Sequence, residues 1–265
     1  MQRYFIEMGY DGTNYHGWQV QPNAITVQEL MNDALYKIFR CPQETTYIVG
    51  AGRTDTGVHS DYFVAHFDLP ETVATDDVPH ILFKFNAILP SDIAVYSLQP
   101  VDENLHARFS ALSRTYHYRV SVRKVPSRRL THFVPYFVPD FDKMNEAAAL
   151  LINYTDFTSF ARLHADTKTN DCFLSHAVWR ETTDGEWLFE IKANRFLRNM
   201  VRAVVGTLFE VGRGKMSIEQ FKEIIEAKNR CAAGSSADAR GLSLVDIEYP
   251  TGRGFCRTIP SVSIL

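Results

Sequence analysis

The stretch Tyr62-Phe63-Val64-Ala65-His66-Phe67-Asp68-Leu69 puts Phe63, Ala65, Phe67 and Leu69 at every second position. A period of two marks a strand, because successive side chains point to opposite sides of a pleated backbone. The pattern predicts a strand with one buried face. Upstream, Arg3–Gly9 reads as a strand ending in the turn Tyr10-Asp11-Gly12, and Thr46–Val49 as a short strand. Between them a helix starts at Thr26. Thr26 and Glu29 have capping-box spacing, Ile25 and Leu30 have staple spacing, and Val27, Leu30, Met31, Ala34, Leu35 and Ile38 recur with helical period. Downstream, a helix near Val78–Leu89 carries Pro79 in its first turn and leads to the strand Ile93–Val101.

Ser113–Val122 is the next predicted strand. Lys124–Pro139 holds Pro126, Pro135 and Pro139 and no period, so it reads as a linker. The domains expected are 1–125 and 126–265. The second contains a helix over Asp142–Asn153 and strands at Cys172–Glu181 and Trp187–Ala193. A long helix follows, capped by Asn194 and stopped by Gly212, then a helix with the capping box Ser217 and Gln220, then a strand at Leu242–Tyr249. Both halves run strand, helix, strand, strand, helix, strand. The expectation is an α+β fold of two similar halves, each an antiparallel sheet backed by helices (RRM/ferredoxin-like), with an active-site cleft between them.

The 265 residues are 45% hydrophobic and 22% charged, an ordinary globular composition. No run of about 18 apolar residues suggests a membrane span, and the N-terminus MQRYFIEM does not read as a signal peptide. Cys41, Cys172, Cys231 and Cys256 lie far apart, as reduced thiols of a cytoplasmic protein would. The net charge of −3 is unevenly spread. Asn104–Pro139 has no acid but carries Arg108, Arg114, Arg119, Arg123, Lys124, Arg128 and Arg129. Ile191–Phe209 has none either, with Lys192, Arg195, Arg198 and Arg202. Such segments are either solvated basic faces or a groove for phosphates.

Asp55 sits between two strands in Gly52-Arg53-Thr54-Asp55-Thr56-Gly57, with His59 after it. It is either an Asx-type turn residue or a reactive group. Flanking threonines and nearby cations would favour an ionised carboxylate, which can act as a nucleophile. On the helix after Asn194, Arg195, Arg198 and Arg202 would share one face near its positive end, a placement that asks for an anion. Tyr116 lies on a strand among basic residues, either as core or as a platform for an unstacked base. His16, Trp18 and Gln19 are either a structural loop or RNA contacts. There is no P-loop, dinucleotide fingerprint or His-Glu-x-x-His motif, and no metal site is expected. Two other readings remain: a non-catalytic RNA-binding protein, and a metal-assisted hydrolase using Asp55, His59 and His66.

Several stretches together resemble one family. GRTDTGVH (Gly52–His59) is similar to the catalytic motif of the bacterial tRNA pseudouridine synthase A (TruA) family. YDGTNYHGWQVQP (Tyr10–Pro22), HARFSALSRTYHYRV (His106–Val120), DFTSFA (Asp156–Ala161), FLRNMVRAVVGTL (Phe196–Leu208) and ARGLSLVDIEY (Ala239–Tyr249) agree in order over nearly the whole chain. The resemblance implies isomerisation of uridine to pseudouridine at positions 38 to 40 of the tRNA anticodon stem-loop, by a cofactor-free homodimer. It implies Asp55 as the catalytic carboxylate, Tyr116 as the tyrosine stacked on the target uracil, and Arg202 as the partner of the carboxylate. It further implies Arg53 in nucleotide flipping, Leu242 in the uracil pocket, and Leu105, His106, Ala107, Arg108 and Phe109 as an RNA-contacting segment. One departure stands out. The family commonly has prolines before its C-terminal Gly-Leu, whereas Gly234-Ser235-Ser236-Ala237-Asp238-Ala239-Arg240-Gly241-Leu242 has none, which predicts a looser loop. Whether the loops Ala161–Asn170 and Asn229–Arg240 order only on RNA is left open by sequence.

Overall fold

The computed structural model describes residues 1–41, 46–134, 137–162, 168–183, 185–252 and 254–258. Part of the loop Ala161–Asn170 (163–167) and Pro135 of the expected linker lie outside them. The fold is mixed α+β, with sheet backed by helices, and the chain forms two compact units. Met1–Leu112 with Leu244–Leu265 make one, and Ser113–Ser243 the other. The first contributes β1 (Gln2–Tyr10), α1 (Val27–Phe39), β2 (Val49–Gly50), β3 (His59–Leu69), α2 (Val78–Ile88) and β4 (Ile93–Val101). The second holds β5 (Ser113–Ser121), β6 (His132–Phe133), α3 (Phe141–Leu150), β7 (Leu174–Thr183), β8 (Glu186–Ala193), α4 (Met200–Gly212) and α5 (Ile218–Glu226). β9 (Leu242–Glu248) starts at the end of the second unit and runs on into the first.

In the first unit β1 lies between β3 and β4, antiparallel to both, and β2 pairs antiparallel with Ala65 and His66 in the later part of the long β3. α1 begins where expected: Thr26 is the N-cap and its hydroxyl accepts the Glu29 N–H at 3.4 Å. The expected staple is not buried, since Ile25 remains 58% exposed. Val27, Met31, Ala34 and Leu35 are buried, and Phe39 meets Phe67 of β3 and Phe85 of α2.

β3 differs from the expectation of one buried face: Tyr62, Val64 and His66 are as buried as Phe63, Ala65 and Phe67. The cause is the C-terminal segment. Tyr249 and Phe255 each lie 5.1 Å from the ring of Phe5, which is paired with His66 in register. Arg257 sits 4.0 Å over the Tyr62 ring and pairs with Asp246. Beneath them Glu7 is fully buried. Its carboxylate accepts from the hydroxyls of Tyr62 (2.5 Å), Ser97 and Thr258 and from the Thr258 N–H (3.3 Å). A buried carboxyl group is tolerated where enough donors satisfy its oxygens.

The contacts therefore divide the chain differently from the expected 1–125 and 126–265. The C-terminal residues cover the first unit, and β5 pairs antiparallel with β8 of the second, Tyr116 opposite Ile191 and Tyr118 opposite Phe189. β7 pairs antiparallel with β8 in turn, and β6 adds a short parallel pairing to β5. Tyr118, Phe189 and Trp179 form the core with Phe209 of α4, and Phe141 of α3 stacks on Trp187 at 3.8 Å. The Asn145 amide exchanges two hydrogen bonds with the Trp179 backbone (2.7 and 3.0 Å), which seals the outer edge of β7 to α3. Ser217 and Gln220 form the full capping box of α5. Among the described residues no helix is long and apolar enough to cross a membrane.

Two stability predictions follow from this packing. Glu7→Ala leaves the buried Tyr62 and Ser97 hydroxyls without their acceptor, at about 1–3 kcal/mol each. Urea unfolding should show a loss of roughly 3 kcal/mol, and an unchanged midpoint would contradict this account. His66 is 4% exposed and its Nδ1 accepts the Ala107 N–H at 3.2 Å. Burial, then the Arg3 cation, push its pKa from 6.5 down to about 4. Between those values the unfolded chain takes up a proton that the folded one refuses, so stability is greatest above pH 6.5 and falls toward pH 4. His66→Asn, which keeps an acceptor near the Nδ1 position, should flatten that fall when unfolding is followed from pH 7 to pH 4.5.

Candidate active site

Asp55 lies in the loop between β2 and β3, and the loop is shaped by the N-terminal block. Thr54 O accepts the Trp18 N–H at 3.4 Å, and the Thr54 hydroxyl meets Tyr10 Oη at 2.9 Å. Gly57 N–H donates to Tyr15 O at 3.2 Å, and Val58 N–H closes a turn on Asp55 O at 3.1 Å. Gly57 has φ 76°, a left-handed conformation that glycine adopts freely. Two close approaches fit the loop to this block: a Cβ at Gly17 (φ 84°) would stand 2.2 Å from Thr54 O, and one at Gly12 would stand 2.0 Å from Val58 O. Gly52 has open space at its Cβ position and is not required for packing. Trp18 is 1% exposed and packs, tilted, with its ring 4.3 Å from that of Phe63, so it is structural. His16 and Gln19 are exposed, and Gln19 Oε1 accepts from Arg53 Nε at 3.2 Å.

The loop thus presents a half-buried Asp55 carboxylate and an exposed Arg53 on a frame clamped by backbone bonds. The Thr54 hydroxyl is directed to Tyr10. His59 is 2% exposed; its Nδ1 accepts the Gly12 N–H at 2.9 Å and lies 3.0 Å from Asp11 Oδ1. His59 and His66 both engage backbone amides through Nδ1. Among the described residues no group of three or more His, Cys, Asp or Glu is arranged to hold a metal ion.

Residues Leu105–Phe109 also belong to the first unit, and they split by direction. Leu105 and Ala107 are fully buried, with Ala107 O accepting from Tyr249 Oη at 2.6 Å. His106 Nδ1 accepts the N–H groups of Arg108 and Phe109 at 3.1 and 3.3 Å. Phe109 is 76% exposed, its ring 4.4 Å from His106 and 5.5 Å from the Arg108 guanidinium carbon. The outward surface is therefore His106, Arg108 and Phe109.

In the second unit Tyr116 is half-buried on β5, its ring edge-on to Phe196 at 5.2 Å. Tyr118, two residues on, is core. Its hydroxyl meets His132 Nδ1 at 2.8 Å and donates to Asp238 O at 2.9 Å, and burial pushes its pKa well above 10. Of the pair, Tyr116 is the one partly open to solvent.

The arginine ridge is corrected. α4 starts at Met200, because Asn194 does not cap it: Asn194 Oδ1 accepts the Phe173 N–H at 2.9 Å and its own N–H returns to Phe173 O. The N-cap is Asn199, at φ 65°. Arg195 and Arg198 precede the helix, and only Arg202 lies in its first turn. Arg202 Nε donates to Ala237 O at 2.8 Å, and Ala237 N–H donates back to Arg202 O at 2.9 Å.

Leu242 is 5% exposed and follows a short 3-10 helix, Ala239–Gly241, capped by Asp238. At Gly241 a Cβ would be 2.7 Å from Arg119 O and 2.9 Å from the Tyr118 ring, so glycine lets Leu242 take its place. The segment expected to be loose is instead bonded along its length, through Gly234 to Thr207, Ser236 to Asn199 and Arg230, Ala237 to Arg202, and Asp238 to Tyr118. It ties together the elements that carry Tyr116, Arg202 and Leu242. Asn199, Arg230 and Ser236 were not singled out from sequence. Asn199 directly precedes an apolar stripe, as a cap does, but Arg230 and Ser236 carry no local signal.

Residues 147–250 match a family model described as tRNA pseudouridine synthase. The chain is 51% identical over 250 residues to tRNA pseudouridine synthase A of Bacteroides fragilis, covering 94% of this chain and 97% of that one. It is 52% identical over 252 residues to the enzyme of the same name from Bacteroides thetaiotaomicron (94% and 91% covered), and 40% over 245 residues to that of Bacillus pumilus (91% and 97%). With identity of this degree along nearly its full length, the chain belongs to the tRNA pseudouridine synthase A family.

Proposed function

We propose that the protein isomerises uridine to pseudouridine at positions 38 to 40 of the tRNA anticodon stem-loop, acting in the cytoplasm as a homodimer. Asp55 is the catalytic carboxylate, and the observation that carries this is the clamped loop that offers it half-buried rather than sunk in the core. Two similar RRM/ferredoxin-like halves suit this reading. The β4-β1-β3 order with β2 on β3 in one unit and the β5-β8-β7 order in the other support it.

The reaction breaks the N1–C1′ bond, turns the uracil and forms a C5–C1′ bond, with the C5 proton lost and N1 reprotonated. It is redox-neutral and consumes no second substrate, so it calls for no cofactor. The target base must first leave its stack, at a cost of a few kcal/mol. Arg53, exposed beside Asp55, assists that flipping. Tyr116 offers a ring face to the uracil, Leu242 an apolar wall, and His106, Arg108 and Phe109 a charged and aromatic contact to RNA. Leu105 and Ala107 shape that contact through their backbone. Arg202 is the partner that aims the carboxylate. Asp55 then adds to C1′, adds to uracil C6, or takes the C2′ proton to give a glycal; all three use the same carboxylate.

Incubation of the protein with unmodified tRNA carrying [5-3H]uridine should release tritium and leave pseudouridine at positions 38 to 40. Asp55→Asn, which keeps the shape and removes the charge, should reduce turnover by about 10⁴-fold or more while tRNA binding survives. Near-normal turnover in that variant would remove Asp55 from the mechanism.

A further inference from the structure

We infer that Arg230 is a positioning residue for the reaction, acting through the strip Gly234–Asp238 on the guanidinium of Arg202. The inference rests on the reading of Arg202 given above. Arg202 stands in the first turn of α4, where the helix dipole disfavours a cation. A long side chain at that place needs a tether to keep one orientation. The Ala237 carbonyl supplies it, by accepting from Nε at 2.8 Å, and the returning Ala237 N–H locks the two residues into a closed ring of hydrogen bonds. A guanidinium held at Nε has its plane defined, and with it the direction of its two terminal nitrogens.

The carbonyl is only as well placed as the strip that bears it. That strip has no regular secondary structure before the turn at Ala239 and no proline. Arg230 holds it from one side: Nη1 donates to Gly234 O at 3.1 Å and Nη2 to Ser236 Oγ at 3.1 Å. The same Ser236 Oγ accepts from Asn199 Nδ2 at 2.6 Å, so the left-handed N-cap of α4 and the strip share one hydroxyl. From the helix side, Gly234 N–H donates to Thr207 Oγ1 at 3.0 Å. Gly206 lets the strip close in, since a Cβ there would lie 1.8 Å from Ser235 O. The planar fork of Arg230 spans a carbonyl and a hydroxyl two residues apart. A lysine, with a single point of donation, cannot bridge both in the same way.

The test is a double-mutant cycle on kcat and KM for tRNA, using Arg230→Ala, Arg202→Ala and the double variant. Misplacing a reacting group by about 1 Å can cost around 100-fold, so Arg230→Ala should lower kcat roughly 10- to 100-fold with little change in KM. In the Arg202→Ala background the same substitution should cost nothing further, because the group it positions is gone. Additive losses, or an effect confined to KM, would overturn the inference and leave the role of Arg202 intact. Wild-type turnover in Arg202→Ala would instead overturn the role of Arg202, and the inference with it. If Arg230→Ala does not fold, Ser236→Ala carries the same cycle, since it removes the acceptor of Nη2. Loss of kcat in Arg202 protein alone supports the inference, and equal loss in both backgrounds refutes it.

Discussion

The close approach of two backbones, at Gly17 and Thr54, is the constraint from which the first unit is organised. There a Cβ would stand 2.2 Å from a carbonyl oxygen, and the same loop presses Val58 O to 2.0 Å from the Cβ position of Gly12. These contacts bring Trp18 onto Phe63, and Phe63 belongs to the strand that the helices and the C-terminal segment cover from opposite sides. The Asp55 loop is therefore continuous with the core rather than appended to it. A reactive carboxylate profits from such a frame, because a group held in place does not have to be ordered again at each turnover.

The second unit meets the same requirement differently. Its arginine rides on a helix and needs no loop to place its backbone, yet a long side chain at the positive end of a helix has no inherent direction. The strip running over Gly206 supplies that direction through one carbonyl. In both units glycines at the contact permit a separation that any side chain would forbid, and polar backbone groups take part in the orienting.

Much of this was legible in the sequence. Period-two alternation located the strands, and the cap residues Thr26 and Ser217 located two helix starts, because those signals depend on neighbours a few residues away. Asn194 misled for an instructive reason. It is a good cap by type, but its amide finds Phe173 at the open end of the β7–β8 pair, and that pairing outranks a local preference. The three-arginine ridge disappeared with that shift. β3 misled in another way: alternation cannot report that the far end of the chain will return to cover the second face, and Tyr62 and His66 are polar enough to look exposed.

By itself, then, the sequence determined the element order, the mixed α+β class and, through its ordered motifs, the family. Those depend on local chemistry and on residue identity, which are written along the chain. Only the tertiary structure decided that β5 and the C-terminal segment change units, that Tyr118 is core while Tyr116 is reachable, and that Arg202 is tied to Ala237. Each of these rests on a hydrogen bond or ring contact between residues far apart in sequence, and no local pattern encodes which of many possible partners a buried donor will find.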